Sequence, residues 1–264
     1  NYENNVRRYL VNSTNFCNIA PMGAYWEGQK KNKHFEDLAK TVHRDGLNFV
    51  VDPLIQCITP EHLPFFLNLH IGDVGHTLIV GPTGSGKSVL LNAISANFKK
   101  YPNCKVFVFD KSASSRVLTK AIGGNFYNLL VDNQSISFQP LAHINDSVEK
   151  TWVLEWLVNY LEASNVKITP IHRNTILNAL NSVSTAPESE RTITALITML
   201  QDEEIRNSLR DLSLKGSYGS LFDSNVDHFG TGNWQVFEME KLMENNRIVA
   251  PTLDYLFHRI ESQL

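Results

Sequence analysis

The sequence predicts an α/β fold: a mainly parallel sheet flanked by helices, with an all-helical insertion. Three observations carry this. An apolar run, Thr77-Leu-Ile-Val80, enters a glycine-rich loop that opens directly into a helical pattern from Ser88 to Phe98. A second apolar run rich in β-branched and aromatic residues, Lys105-Val-Phe-Val-Phe-Asp110, follows that helix. A long block with helical periodicity, residues 146–212, then separates these strands from a further strand candidate, Trp234–Met239.

Taken in order, residues 1–63 are polar and broken by Pro21, Gly23, Gly28, Gly46, Pro53 and Pro60, and read as a lead-in or the end of a preceding domain. Leu47–Val51 is a candidate edge strand within them. Residues 64–145 form the first portion of the α/β domain. Phe65, Phe66, Leu67 and Leu69 make a strand-like run, Gly72–Gly75 a turn, and Thr77–Val80 a short buried strand. Residues 146–212 hold three helices. Trp152, Leu154, Trp156, Leu157 and Leu161 mark the first, Ile171, Ile176, Leu177, Leu180 and Val183 the second, and Ile193, Leu196, Ile197 and Leu200 the third. Thr169-Pro170 starts the middle one, the hydroxyl capping and the proline in the first turn. Residues 213–264 return to the sheet and end in an amphipathic helix over 250–264.

Lys and Arg total 24 against 27 Asp and Glu, a formal charge of -3, so no overall positive field points to nucleic acid and any DNA contact must be local. The densest basic stretch, Lys30, Lys31, Lys33, Lys40 and Arg44, is interrupted by Glu36 and Asp37 and reads as a solvated helix or loop face. Cys17, Cys57 and Cys104 form no C-x-x-C pair, which argues against a disulfide framework or structural zinc and fits a reducing, cytosolic compartment. His70 and His76 match no metal-ligand spacing and read as structural. No apolar run approaches the roughly 18 residues needed to cross a bilayer. The chain starts at Asn1 rather than Met, so a trimmed or longer parent is expected.

The chemistry concentrates in Gly81-Pro-Thr-Gly-Ser-Gly-Lys-Ser88. Nucleotide phosphates gather several negative charges, and Gly81, Gly84 and Gly86 let successive backbone N–H groups converge on them without a Cβ in the way. Lys87 supplies a point charge for the β- and γ-phosphates, Ser88 a hydroxyl for Mg2+, and the helix N-terminus its partial positive charge. Pro82, Thr83, Ser85 and Val89 complete the binding stretch. ATP with Mg2+ is the expected ligand. No Asn-Lys-x-Asp segment reads guanine; Asn32-Lys33 continues with His-Phe.

Hydrolysis also needs an acid near the metal and a group that orients water. Asp110 ends its strand and is followed by Lys111, which leaves strand-end capping and substrate contact as alternatives. Glu238 and Glu240 follow a run interrupted by Gln235, and a solvated or salt-bridged surface role is expected for both.

The segments Leu67–Ser88, Phe109-Asp-Lys111 with Ser114 and Ser115, Phe138-Gln-Pro-Leu141, Gly216-Ser-Tyr-Gly-Ser-Leu-Phe-Asp223, Val236–Glu240 and Tyr255–Ile260 together resemble the conjugative type IV secretion ATPases, the group that includes TrbE and the fourth VirB protein. Asp73-Val-Gly-His76 joined to the phosphate loop strengthens the likeness. The resemblance implies a RecA-like P-loop motor domain with an inserted helical subdomain. It also implies a homo-oligomer, a hexamer, on the cytoplasmic face of a bacterial inner membrane, working with other secretion components in pilus assembly and substrate transport. In that family the magnesium-binding Asp and catalytic Glu follow the helix that here is Tyr255–Leu264, so both are expected beyond Leu264. Arg116, Arg173 and Arg259 are open candidates for an arginine acting across subunits. A DNA translocase or coupling protein of the same superfamily, and a non-hydrolysing nucleotide-gated scaffold, are the alternative readings.

Overall fold

In a computed structural model the described residues are 25–41, 50–131 and 136–263. Cys17, Arg44, Gly46 and residues 47–49 of the edge-strand candidate lie outside them. The chain divides into two compact units, Asn1–Pro102 and Asn103–Leu264.

The first unit holds helix α1 (Lys33–Thr41), an antiparallel pair of strands β1 (Ile55–Ile58) and β2 (Pro64–Leu67), and helix α2 (Lys87–Phe98). Lys30, Lys31 and Lys40 pair with Glu27, Glu36 and Asp37, so the basic stretch is a solvated, charge-paired face. Polar side chains knit the unit. Asn68 accepts from Leu54 N at 3.1 Å and donates to the Gln29 carbonyl at 2.7 Å, while the Tyr101 hydroxyl donates to the Asp52 carbonyl. His70 stacks on His34 with ring centroids 4.8 Å apart and also meets Phe35, which bears out its structural reading. Loss of hydration, then the neighbouring His34, lowers its pKa from the ordinary 6.5.

One expectation fails here. Thr77–Val80 is not a strand: it pairs with no other strand among the described residues, and Leu78 and Val80 are 87% and 82% exposed. The apolar pattern is genuine, but a strand exists only when a neighbour completes its ladder. β1 and β2 of this unit satisfy each other.

The second unit is the α/β body. Strands β3 (Val106–Asp110), β4 (Asn125–Asn128) and β5 (Trp234–Glu238) form a parallel sheet in the order β3-β5-β4, with Asp110 opposite Glu238 and Asn128 also opposite Glu238. Helix α3 (Arg116–Ile122) connects β3 to β4 and packs on β4 and β5. β5 lies between two partners and is buried at every position, as expected for a central parallel strand. Gln235 is buried there too, its amide N–H groups donating to the carbonyls of Gly230 and Gly232.

Helices α4 (Ser147–Ala163), α5 (Pro170–Ser184), α6 (Ile193–Met199) and α7 (Glu203–Leu209) follow, each opened by a side-chain cap: Asp146, Thr169, Thr192 and Asp202. A short helix α8 (Gly219–Phe222) precedes β5, and α9 (Asn246–Glu261) closes the chain by packing along α4. The core runs from Phe138 and Leu141 through Trp156, Leu157 and Leu161 to Phe222, Phe237, Tyr255 and Leu256. Ile171, counted in the apolar pattern of the second helix, is exposed: it sits in the first turn of α5 beside Pro170, while Ile176, Leu180 and Val183 form the buried stripe. Among the described residues no helix is long and apolar enough to cross a membrane.

Candidate phosphate-binding loop and the carboxyl edge of the sheet

The loop Gly81–Ser88 gains its shape from two glycines in the left-handed region, Gly84 at φ 82° and Gly86 at φ 86°. A residue with a Cβ would cost about 1–2 kcal/mol at either position. Gly86 is also the N-cap of α2, and no side chain caps that helix. The first-turn N–H groups of Lys87, Ser88 and Val89 therefore have no intrahelical acceptor, and their partial positive charge faces solvent beside the loop. The Lys87 ammonium donates to the Gly81 carbonyl at 2.9 Å and the Pro82 carbonyl at 2.7 Å, folding back across the loop. Ser85 N donates to the Pro82 carbonyl at 3.3 Å. An uncapped helix start, two glycines that keep the backbone bare and a lysine at its rim can hold a polyanion. The Ser88 hydroxyl, in the first turn of α2, is exposed. Among the described residues no cluster of three or more His, Cys, Asp or Glu could hold a metal.

In the second unit the carboxyl ends of β3 and β5 present two carboxylates, and both are occupied. Asp110 Oδ1 accepts from Lys111 N at 2.9 Å and the Ser114 hydroxyl at 2.6 Å, and Oδ2 accepts from Ser115 N at 2.7 Å. These bonds make Asp110 a strand-end cap, one of the two roles expected for it. Glu238, expected at the surface, is instead 3% exposed. Its carboxylate accepts from Ser112 N at 3.2 Å, from Ala113 N, and from Glu240 N at 2.9 Å. The reason is topological: β5 is central, so its last residue abuts the turn that leaves β3. Ser112 and Ala113 have φ of 72° and 53°, a backbone that L residues adopt at a cost and that these carboxylate bonds hold in place. Glu240, two residues on, is exposed as expected. Glu238→Gln keeps the shape but removes the charge from three donors, and a loss of about 1–3 kcal/mol in urea unfolding is expected.

The three arginine candidates differ in their partners. Arg173 is paired with Glu155 and Arg259 with Asp227 at 3.0 Å, while Arg116 is exposed with its guanidinium 5.7 Å from the Phe126 ring. Asp223, which the sequence named only as the end of the Gly216–Asp223 segment, is buried and accepts from Thr194 N at 3.0 Å, the Thr194 hydroxyl and Leu214 N at 2.6 Å. An acid closing a Gly-rich turn was the available signal.

Comparison with known proteins places this geometry in a lineage. No family model matches the chain. It is 34% identical over 269 residues to a probable conjugal transfer protein TrbE of Sinorhizobium fredii, covering 100% of this chain and 39% of that protein. It is 34% identical over 267 residues to the conjugal transfer protein TrbE of Rhizobium radiobacter, covering 98% of this chain and 31% of that protein. The chain thus spans well under half the length of these relatives. The structure of VirB4 from Thermoanaerobacter pseudethanolicus shares its α/β fold, with a TM-score of 0.59 at 13% identity over 81% of this chain and 62% of that one. Homologous along its whole length to a portion of these proteins, the chain belongs to the TrbE and VirB4 family of conjugal transfer and type IV secretion proteins.

Proposed function

We propose that the chain is the nucleotide-binding portion of a RecA-like P-loop ATPase that energises conjugative transfer or type IV secretion. The observation that carries the reading is the Gly81–Ser88 loop on an uncapped helix start. In this reading the N–H groups from Gly84 to Val89 hold the β- and γ-phosphates of ATP, and Lys87 exchanges the Gly81 and Pro82 carbonyls for phosphate oxygens. The Ser88 hydroxyl would hold Mg2+, whose charge would neutralise the phosphates. Gly81, Pro82, Thr83 and Ser85 shape the loop. Neither Asp110 nor Glu238 is assigned the metal or the attacking water, because both carboxylates are already engaged by backbone N–H groups.

The kinship to TrbE supports a role within a conjugation or secretion machine. The proposal extends to a hexameric ring on the cytoplasmic side of the bacterial inner membrane, working with other secretion components, with residues 146–212 as its helical subdomain. Calorimetric titration of ATP into the 264-residue polypeptide with Mg2+ is expected to give saturable binding, weakened by EDTA and by Ser88→Ala. Failure to see saturation with Mg2+ present would sink the reading. Turnover is then measured on the full-length protein.

A further inference from the structure

The turn-rich segment Gly216–Asp223 has no role in the phosphate-loop reading, yet it is closely packed and hydrogen-bonded. A Cβ on Gly216 would lie 2.1 Å from the Arg210 carbonyl oxygen, and one on Gly219 would lie 2.0 Å from that of Ser213. Tyr218 N donates to the Asp211 carbonyl at 2.8 Å, and Asp223 ties Leu214 N to the start of α6 through Thr194. These bonds fix one wall of an open cleft of about 660 Å³, faced on the other side by Thr194, Ile197 and Thr198. That volume falls within the range of about 300–1,000 Å³ typical of ligand sites.

Its chemistry is uneven in sign. Arg210 and Lys215 line the cleft and are exposed, and among the described residues neither has a carboxylate within ion-pair distance. The two nearby acids are spent: Asp211 pairs with Arg247 at 3.4 Å, and Asp223 accepts three hydrogen bonds. Leu214 stands 70% exposed at the same rim, its backbone pinned by Asp223. The hydroxyl protons of Thr194, Thr198 and Ser213 go to Asp223, the Ala195 carbonyl and the Arg210 carbonyl, so they offer no ring of donors to a compact anion. Beside the exposed Ser217 hydroxyl, the cleft offers a pair of unpaired cations around an apolar step.

We propose that this cleft docks a short acidic segment of a partner polypeptide, its carboxylates on Arg210 and Lys215 and an apolar side chain over Leu214 and Ile197. The proposal is independent of nucleotide binding.

The test is fluorescence anisotropy of the 264-residue chain with a short fluorescein-labelled peptide carrying a central Leu flanked by Glu. Saturable binding is expected, weakened about tenfold by Arg210→Glu or Lys215→Glu and about fivefold by Leu214→Ser. Lys167→Glu, an equal charge change at an exposed lysine outside the cleft, leaves it unaltered. All these side chains are surface groups, and unchanged circular-dichroism melts confirm folding. Three results would overturn the proposal: equal weakening by Lys167→Glu, equal binding of a peptide with Lys for Glu or Ser for Leu, or ready displacement by inorganic pyrophosphate, which would mark a bare anion site.

Discussion

Lys87→Ala is expected to weaken MgATP binding about 10- to 100-fold, since a hydrogen bond from a charged donor is worth about 1.5–3 kcal/mol and each 1.4 kcal/mol is a factor of ten. The backbone N–H groups of the loop and the start of α2 remain, so binding falls without vanishing. The same variant removes the ammonium's bonds to the Gly81 and Pro82 carbonyls. Water replaces those bonds at this open loop, so a thermal melt should move little. Calorimetry and a melt on the same samples separate the two effects. Unchanged affinity would overturn the assignment of Lys87; lost affinity with a collapsed melt would show instead that the lysine serves folding. Lys87→Arg is a further check, because a planar fork does not replace a compact ammonium at a site shaped for a point charge.

Trp156→Ala should produce the largest loss of stability, about 3–5 kcal/mol. Its side chain is 1% exposed, its ring packs 5.4 Å from Phe222 and 6.3 Å from Trp152, and its indole N–H donates to the Pro251 carbonyl at 2.9 Å. Truncation opens a cavity where α4 meets α9 and removes the indole N–H from that carbonyl. Domains are stable by only about 5–15 kcal/mol, so the variant consumes a large share of the second unit's reserve. Urea unfolding followed by circular dichroism reads the shift, and Trp156→Phe, which keeps one aromatic ring but loses the N–H and the rest of the indole, should recover part of it. A Trp156→Ala loss below about 1 kcal/mol would mean that the α4–α9 contact is not the core of this unit.

Much of this chain declares itself locally. A helix closes its own hydrogen bonds, so its apolar stripe and its caps are written within a few turns. Thr169-Pro170 opens α5, and Trp156, Leu157 and Leu161 form the inner face of α4. The loop from Gly81 to Ser88 is local in the same way, since its glycines and its lysine act within eight residues. Val106–Asp110 and Trp234–Glu238 were legible as strands because β-branched and aromatic runs mark strands wherever they pair.

What the sequence did not decide was which neighbours those segments acquire. Thr77–Val80 has the same apolar character as β3, yet it is no strand, because a ladder needs a second chain segment that the pattern itself does not name. The residue just past Gln235-Val-Phe could have met water. It is buried because β5 lies between β3 and β4 and brings Glu238 against Ser112 and Ala113. Residue type, the Thr169-Pro170 start of α5 and the glycine-rich motif Gly81–Ser88 followed from the sequence alone. Burial, strand pairing and the partners of Asp110, Glu238 and Asp223 came only with the tertiary structure, because each depends on groups distant in the chain.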